Sequence, residues 1–178
     1  MPDHRNRIPD KTIVLIGMMG CGKSTVGRRL AKYLGMPFAD LDNVISATEG
    51  MSITKIFEEH GEEYFRQKEH DHIEKILDGK PSVLATGGGS FINESIRGLI
   101  KNKGISVWIH ADFETLLERV SRKNTRPLLE AGNKAEILED LIEKRYPVYE
   151  EADFKVETGN GNHNIVMHKI IEAINGRT

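Results

Sequence analysis

The chain has 178 residues, a length suited to one compact domain with a core large enough to fold by itself. Its 25 Lys and Arg against 27 Asp and Glu leave a net charge of −2; with no basic stripe interleaved with aromatics, this argues against nucleic acid as a partner. No apolar run approaches the length of a membrane span, and the single cysteine, Cys21, excludes an internal disulfide and fits a reducing compartment, so a cytoplasmic protein is expected.

In chain order, Met1 to Asp10 is polar without an apolar core, which reads as a short frayed tail and not as a secretory signal. Thr12 to Ile16 is a β-branched apolar run typical of a buried strand. It leads into Gly17-Met18-Met19-Gly20-Cys21-Gly22-Lys23-Ser24, which fits the phosphate-loop pattern G-x-x-x-x-G-K-[ST]. Val26 to Leu34 then reads as helix, stopped by Gly35 with Pro37 beyond. Strand, glycine loop and helix in that order favour a nucleoside triphosphate over a chance glycine turn. Backbone amides would cradle the phosphates, Lys23 would add a point charge near the β- and γ-phosphates, and Ser24 could ligate Mg²⁺. Cys21, near a helix N-terminus, could carry a stabilised thiolate; the plainer reading, a small loop residue, is preferred.

Pro37 to Ala39 is the second strand-like run, followed by Asp40 and Asp42. Read as an extended pair, i and i+2, both carboxylates face one way at the end of a strand. Asp40 could order water around Mg²⁺ and Asp42 could bind a substrate hydroxyl; equally, Asp42 could only cap the next helix. Gly61 to Asp78 is charged and amphipathic, with Arg66 able to pair with Glu62 or Glu69 along the helix. Ser82 to Ala85 is a third strand, and Thr86-Gly87-Gly88-Gly89-Ser90 after it leaves backbone amides free to approach a ligand or forms a flexible turn. Asn93 to Asn102 reads as helix, Ile105 to Ile109 as strand and Asp112 to Arg122 as helix. Ser121 to Asn133 breaks the regular pattern with Arg122, Lys123, Arg126, a proline and a glycine, a composition suited to a mobile flap or to an ordinary basic loop. On a flap, Arg126 could swing over the γ-phosphate. Lys134 to Tyr149 reads as helix, with Arg145 on what spacing alone makes a solvated face; Phe154 to Glu157 is the last strand, and Asn164 to Ile174 the last helix. Strands alternating with helices imply βαβ crossovers and a parallel sheet. The seven histidines show no metal-ligand spacing.

Taken together, these motifs resemble the shikimate kinase family. The resemblance rests on Gly17–Thr25, Phe38-Ala39-Asp40-Leu41-Asp42, Ser52-Ile53 through Ile56-Phe57, Gly61-Glu62 through Phe65-Arg66, Thr86-Gly87-Gly88-Gly89, Arg126-Pro127-Leu128-Leu129 and Lys144-Arg145-Tyr146-Pro147-Val148-Tyr149, in family order across roughly residues 11 to 158. It implies an α/β/α domain spanning residues 1–178, a five-stranded parallel sheet in order 2-3-1-4-5, and a closing lid at 121–133. The implied reaction is transfer of the ATP γ-phosphate to the 3-hydroxyl of shikimate, giving shikimate 3-phosphate in aromatic amino-acid synthesis, by a monomer with Mg²⁺. Carried over by motif, Gly20, Cys21, Gly22, Lys23, Ser24 and Thr25 would hold ATP, with Arg119 beside the adenine. Ser24 and Asp40 would serve Mg²⁺, and Lys23 and Arg126 the transferring phosphoryl group. Asp42 would hold the ring hydroxyls and perform catalysis at the attacking one; Arg66 and Arg145 would pair with the carboxylate, Gly87, Gly88 and Gly89 would present backbone, and Phe57 and Phe65 would wall the ring.

One departure stands out. Some members carry an arginine near the adenine where this chain has Thr158-Gly159-Asn160-Gly161-Asn162, which leaves backbone contacts as the substitute. Two other readings compete: a gluconate-kinase-like enzyme acting on another hydroxy acid, and a nucleotide-binding regulatory module without catalysis, against which Lys23, Ser24, Asp42 and Arg126 argue.

Overall fold

A computed structural model describes residues 9–122, 133–159 and 161–176. The chain runs β1 (Thr12–Ile16), α1 (Lys23–Leu34), β2 (Phe38–Asp40), α2 (Leu41–Glu49), α3 (Ile53–Asp78), β3 (Val83–Ala85), a 3₁₀ turn (Ser90–Ile92), α4 (Glu94–Lys103), β4 (Gly104–His110), α5 (Phe113–Ser121), α6 (Lys134–Tyr149), β5 (Phe154–Glu157) and α7 (His163–Asn175). The five strands form one parallel sheet in the order β2-β3-β1-β4-β5, as expected. β1 sits at the centre, with Ile13 opposite Val83 on one side and Ile105 on the other. All five of its residues are buried, which is why that segment reads as a continuous apolar run and not as an alternating one. Parallel strands need crossovers, and the helices supply them around the sheet: α1 packs beside α7, and α3 beside α4. No helix among the described residues is long and apolar enough to cross a membrane.

After β1 the chain crosses to β2 at one edge, returns through β3, then passes β1 to β4 and β5 on the other side. The strand order reverses at β1, and a crevice opens beyond the carboxyl ends of β1, β2 and β3, where open α/β sheets bind ligands.

Two stretches differ from the sequence expectation. The extended pair Asp40/Asp42 does not exist: β2 ends at Asp40, whose carboxylate caps α2 by accepting the Asn43 N–H at 3.3 Å, and Asp42 lies in that helix's first turn. The capping role considered for Asp42 therefore belongs to Asp40. Likewise α3 reaches back to Ile53, so a helical stretch, opened by the Ser52 hydroxyl accepting the Lys55 N–H at 3.2 Å, precedes the one expected from Gly61 to Asp78. Gly61 is a kink inside α3, at φ 83° and ψ 174°, a conformation open essentially only to glycine.

Candidate active site

The phosphate loop is closed by its own lysine. Lys23 Nζ donates to the carbonyls of Gly17 at 2.7 Å and Met18 at 2.9 Å, and lies 3.7 Å from Cys21 Sγ. Gly22, at φ 99°, caps α1 without a side chain, so the first amides of the helix face the crevice. Cys21 is fully buried and contributes to the loop through its backbone; the thiol is not presented to a ligand. Beside the loop, the Ser24 hydroxyl donates to Asp40 Oδ2. A hydroxyl and a carboxylate side by side suit a cation that takes most of its ligands from phosphate oxygens and water, as Mg²⁺ does. Among the described residues, no group of three or more His, Cys, Asp or Glu gathers to hold a metal on its own.

These residues line a cleft of about 400 Å³ with Gly20, Gly22, Lys23, Ser24 and Thr25 along one wall, Asp40, Asp42, Thr86, Gly87 and Gly88 at one end, and Arg119, Arg122 and His163 at the other. Arg119 is fixed there by donating to the carbonyls of Gly20 at 3.2 Å and Gly159 at 3.0 Å, so the divergent loop after β5 meets the arginine through its backbone. Asp112 caps α5, the helix that carries Arg119, and the Thr115 N–H it accepts holds its carboxyl below the usual range.

Next to the Asp42 end lies a second cluster, organised by the glycine turn after β3. A Cβ at Gly87 would stand 3.4 Å from Asp42 Oδ1, one at Gly88 2.9 Å from Arg145 Nη1, and one at Gly89 2.4 Å from Arg66 Nη2. The three glycines therefore leave the room that the carboxylate and the two guanidiniums occupy. Arg66, on α3, donates from Nη1 to Glu69 Oε2 at 2.6 Å, with Glu62 at 3.5 Å. Glu69 is fully buried and also accepts the Ser90 hydroxyl at 2.5 Å. The helix ion pair considered from spacing is thus present, but one partner is withdrawn from water and tied to the glycine turn. Phe65 and Phe57 lie beside it with ring centroids 4.8 Å apart.

Arg145 is not on a solvated face. It is buried on α6, with Nη1 3.9 Å from Met18 Sδ. Its helix is clamped to β4 by Trp108, whose ring lies 5.0 Å from Tyr146 and 5.7 Å from Tyr149. The Tyr149 hydroxyl donates to the Gly88 carbonyl, and burial raises its pKa far above the ordinary range, so it stays a donor. Tyr146 donates to the Ala111 carbonyl at 2.5 Å.

The structure therefore brings together every expected site residue that it describes, in two adjoining groups. Arg126 and most of the flap at 121–133 lie outside the described residues. Ser90, Tyr149 and His163 were not given roles from sequence, and Glu69 was read only as a helix ion-pair partner of Arg66. Glu69 alone left a signal, as a carboxylate three residues after Arg66 on one helix.

The family model for shikimate kinase matches residues 19–175. A shikimate kinase of Caulobacter vibrioides is 51% identical over 164 residues, 92% of this chain and 82% of that one. A solved shikimate kinase from Acinetobacter baumannii, in complex with shikimate, superposes with a TM-score of 0.91 at 38% identity, covering 94% of both chains. A gluconokinase from Sinorhizobium meliloti, at 19% identity and a TM-score of 0.65 over 94% of this chain and 93% of that one, shares the fold alone. With its sheet order, its phosphate loop and nearly its whole length matched, the chain belongs to the shikimate kinase family and phosphorylates shikimate with ATP as co-substrate.

Proposed function

We propose that the phosphoryl group goes to the 3-hydroxyl of shikimate, and that the two adjoining clusters divide the task. The loop amides from Gly20 to Thr25, with Lys23, hold the triphosphate, Lys23 moving from its own loop carbonyls to the phosphate oxygens. Ser24 and Asp40 are the residues that would hold Mg²⁺. When bound, the ion neutralises charge on the β- and γ-phosphate oxygens. Arg119 packs beside the base. Arg66 and Arg145 grip the shikimate carboxylate with guanidinium forks, Phe57 and Phe65 wall the ring, and Gly87, Gly88 and Gly89 present backbone to it. Asp42 orients the attacking hydroxyl and accepts its proton. Arg126 neutralises the charge that develops on transfer.

The observation that carries this reading is the convergence of Asp42, Arg66 and Arg145 on one glycine turn at the end of the phosphate cleft. Phosphoryl transfer has a loose transition state, so positioning and charge neutralisation count for more than a strong base. The single buried thiol suits a reducing cytoplasm. The test is a split in kinetics. Asp42→Asn should lower kcat by about 10²-fold or more with little change in shikimate KM, while Arg145→Ala should raise shikimate KM by about tenfold or more. The reverse pattern would overturn the assignment, and a phosphorus–proton NMR correlation to a ring position other than carbon 3 would overturn the choice of hydroxyl.

A further inference from the structure

His163 opens α7 at the Arg119 end of the cleft. Its Cε1–Nδ1 edge lies against Gly22, where a Cβ would stand 3.2 Å from Cε1 and 3.4 Å from Nδ1. Gly22 is the left-handed residue that directs the first amides of α1 and immediately precedes Lys23. The ring therefore touches the turn on which phosphate binding depends.

Two fixed cations flank that ring. On α1, Arg29 Nη1 is held by Asn162 Oδ1 at 3.3 Å and Asn164 Oδ1 at 3.0 Å, the residues on either side of His163. On α5, Arg119 is held by the carbonyls of Gly20 and Gly159. In the phosphate loop itself, the Lys23 ammonium is turned away onto the Gly17 and Met18 carbonyls. His163 Nδ1 is buried and has no hydrogen-bond partner among the described residues. In the neutral ring with its proton on Nε2, Nδ1 forgoes only an acceptor bond. Adding a proton there would bury an N–H without an acceptor and set a third positive charge between two arginines. Burial, with Arg119 and Arg29, holds the imidazole below the usual histidine range.

We propose that His163 is a positioning residue for the phosphate loop: as a neutral ring it braces Gly22 against the start of α7, and on taking a proton at Nδ1 it withdraws, so that ATP binding weakens as the pH falls. The sign follows from the same contacts. The braced state favours the neutral ring, so the brace is intact above the ordinary histidine range and is lost as the pH drops below it. The proposal rests on the assignment of this cleft to ATP.

The experiment is calorimetric titration with metal-free ATP at pH 7.5, 6.5 and 5.5, on the wild type, His163→Asn and His163→Ala. Titration of the nucleotide's own phosphates is common to all three proteins and cancels in their ratios. Between pH 7.5 and 5.5 the wild-type Kd should rise severalfold more than that of His163→Asn. His163→Ala, which removes the brace without a titrating group, should bind ATP several-fold more weakly than wild type at pH 7.5, with the same shallow pH profile as His163→Asn. Thermal melts at each pH establish that the proteins compared are folded. Parallel pH profiles for wild type and His163→Asn would overturn the proposal, as would wild-type affinity in His163→Ala at pH 7.5. If no variant bound ATP at any pH, the nucleotide assignment of the cleft would fall with it.

Discussion

Gly89→Ala isolates the contact between the glycine turn and the guanidinium of Arg66. Gly89 has φ −94° and ψ −8°, ordinary right-handed backbone that alanine adopts without strain, so the substitution carries no backbone penalty. The added methyl would stand 2.4 Å from Arg66 Nη2 and 2.9 Å from Cζ. Restoring ordinary van der Waals contact moves the guanidinium by about 1 Å, a displacement large enough to cost up to about 10²-fold at a reacting or binding centre. Arg66 cannot yield freely, because its other nitrogen is held by the fully buried Glu69. A charge-assisted bond is worth about 1.5–3 kcal/mol, and losing half to most of it gives about a 5- to 30-fold rise in shikimate KM. The assay is coupled ADP release with shikimate varied at saturating ATP and the converse, together with a thermal melt. Shikimate KM should rise while ATP KM stays near wild type, and the melt establishes that the variant is folded. A shikimate KM within twofold of wild type would refute the reasoning, and so would an equal rise in both KM values.

Three further outcomes follow from the same contacts. Arg66→Ala should weaken shikimate binding by about 2–5 kcal/mol, because it strands the substrate carboxylate and leaves buried Glu69 without its cation; unchanged shikimate KM would contradict it. Lys23→Ala should cost about 10²- to 10³-fold or more in kcat while the circular dichroism spectrum stays that of the wild type; activity within a few-fold of wild type would show that the loop lysine is not needed for transfer. Tyr149→Phe leaves the Gly88 carbonyl without its buried donor, so stability should fall by about 1–3 kcal/mol in urea titration, and an unchanged midpoint would show that the hydroxyl contributes nothing.

The phosphate loop was legible because its residues are contiguous: one strand, one glycine run and one helix start carry the whole pattern. The sheet followed from the alternation of apolar runs with amphipathic segments. What spacing missed depends on contacts between segments far apart in the chain. Arg145 looks solvated along its own helix, and only the packing of Trp108, Tyr146 and Tyr149 turns it inward toward Gly88. Its role came from the resemblance to a family, not from spacing. The start of α2 was misplaced because Phe38-Ala39-Asp40-Leu41-Asp42 alternates like a strand, while the Asp40 cap starts the helix two residues sooner than a cap at Asp42 would. Gly61 has the look of a helix boundary because glycine usually ends helices; here it bends a helix that Ser52 had already begun. His163 matters through its contact with Gly22, 141 positions earlier, and no local pattern announces it.

ADP release from Mg·ATP, measured with and without shikimate and with gluconate in its place, tests the central claim most directly. Turnover that depends strongly on shikimate and is not elicited by gluconate is the expected result. ATP binding without stimulation by shikimate would contradict it, and turnover with gluconate equal to that with shikimate would show that Arg66 and Arg145 do not select the substrate.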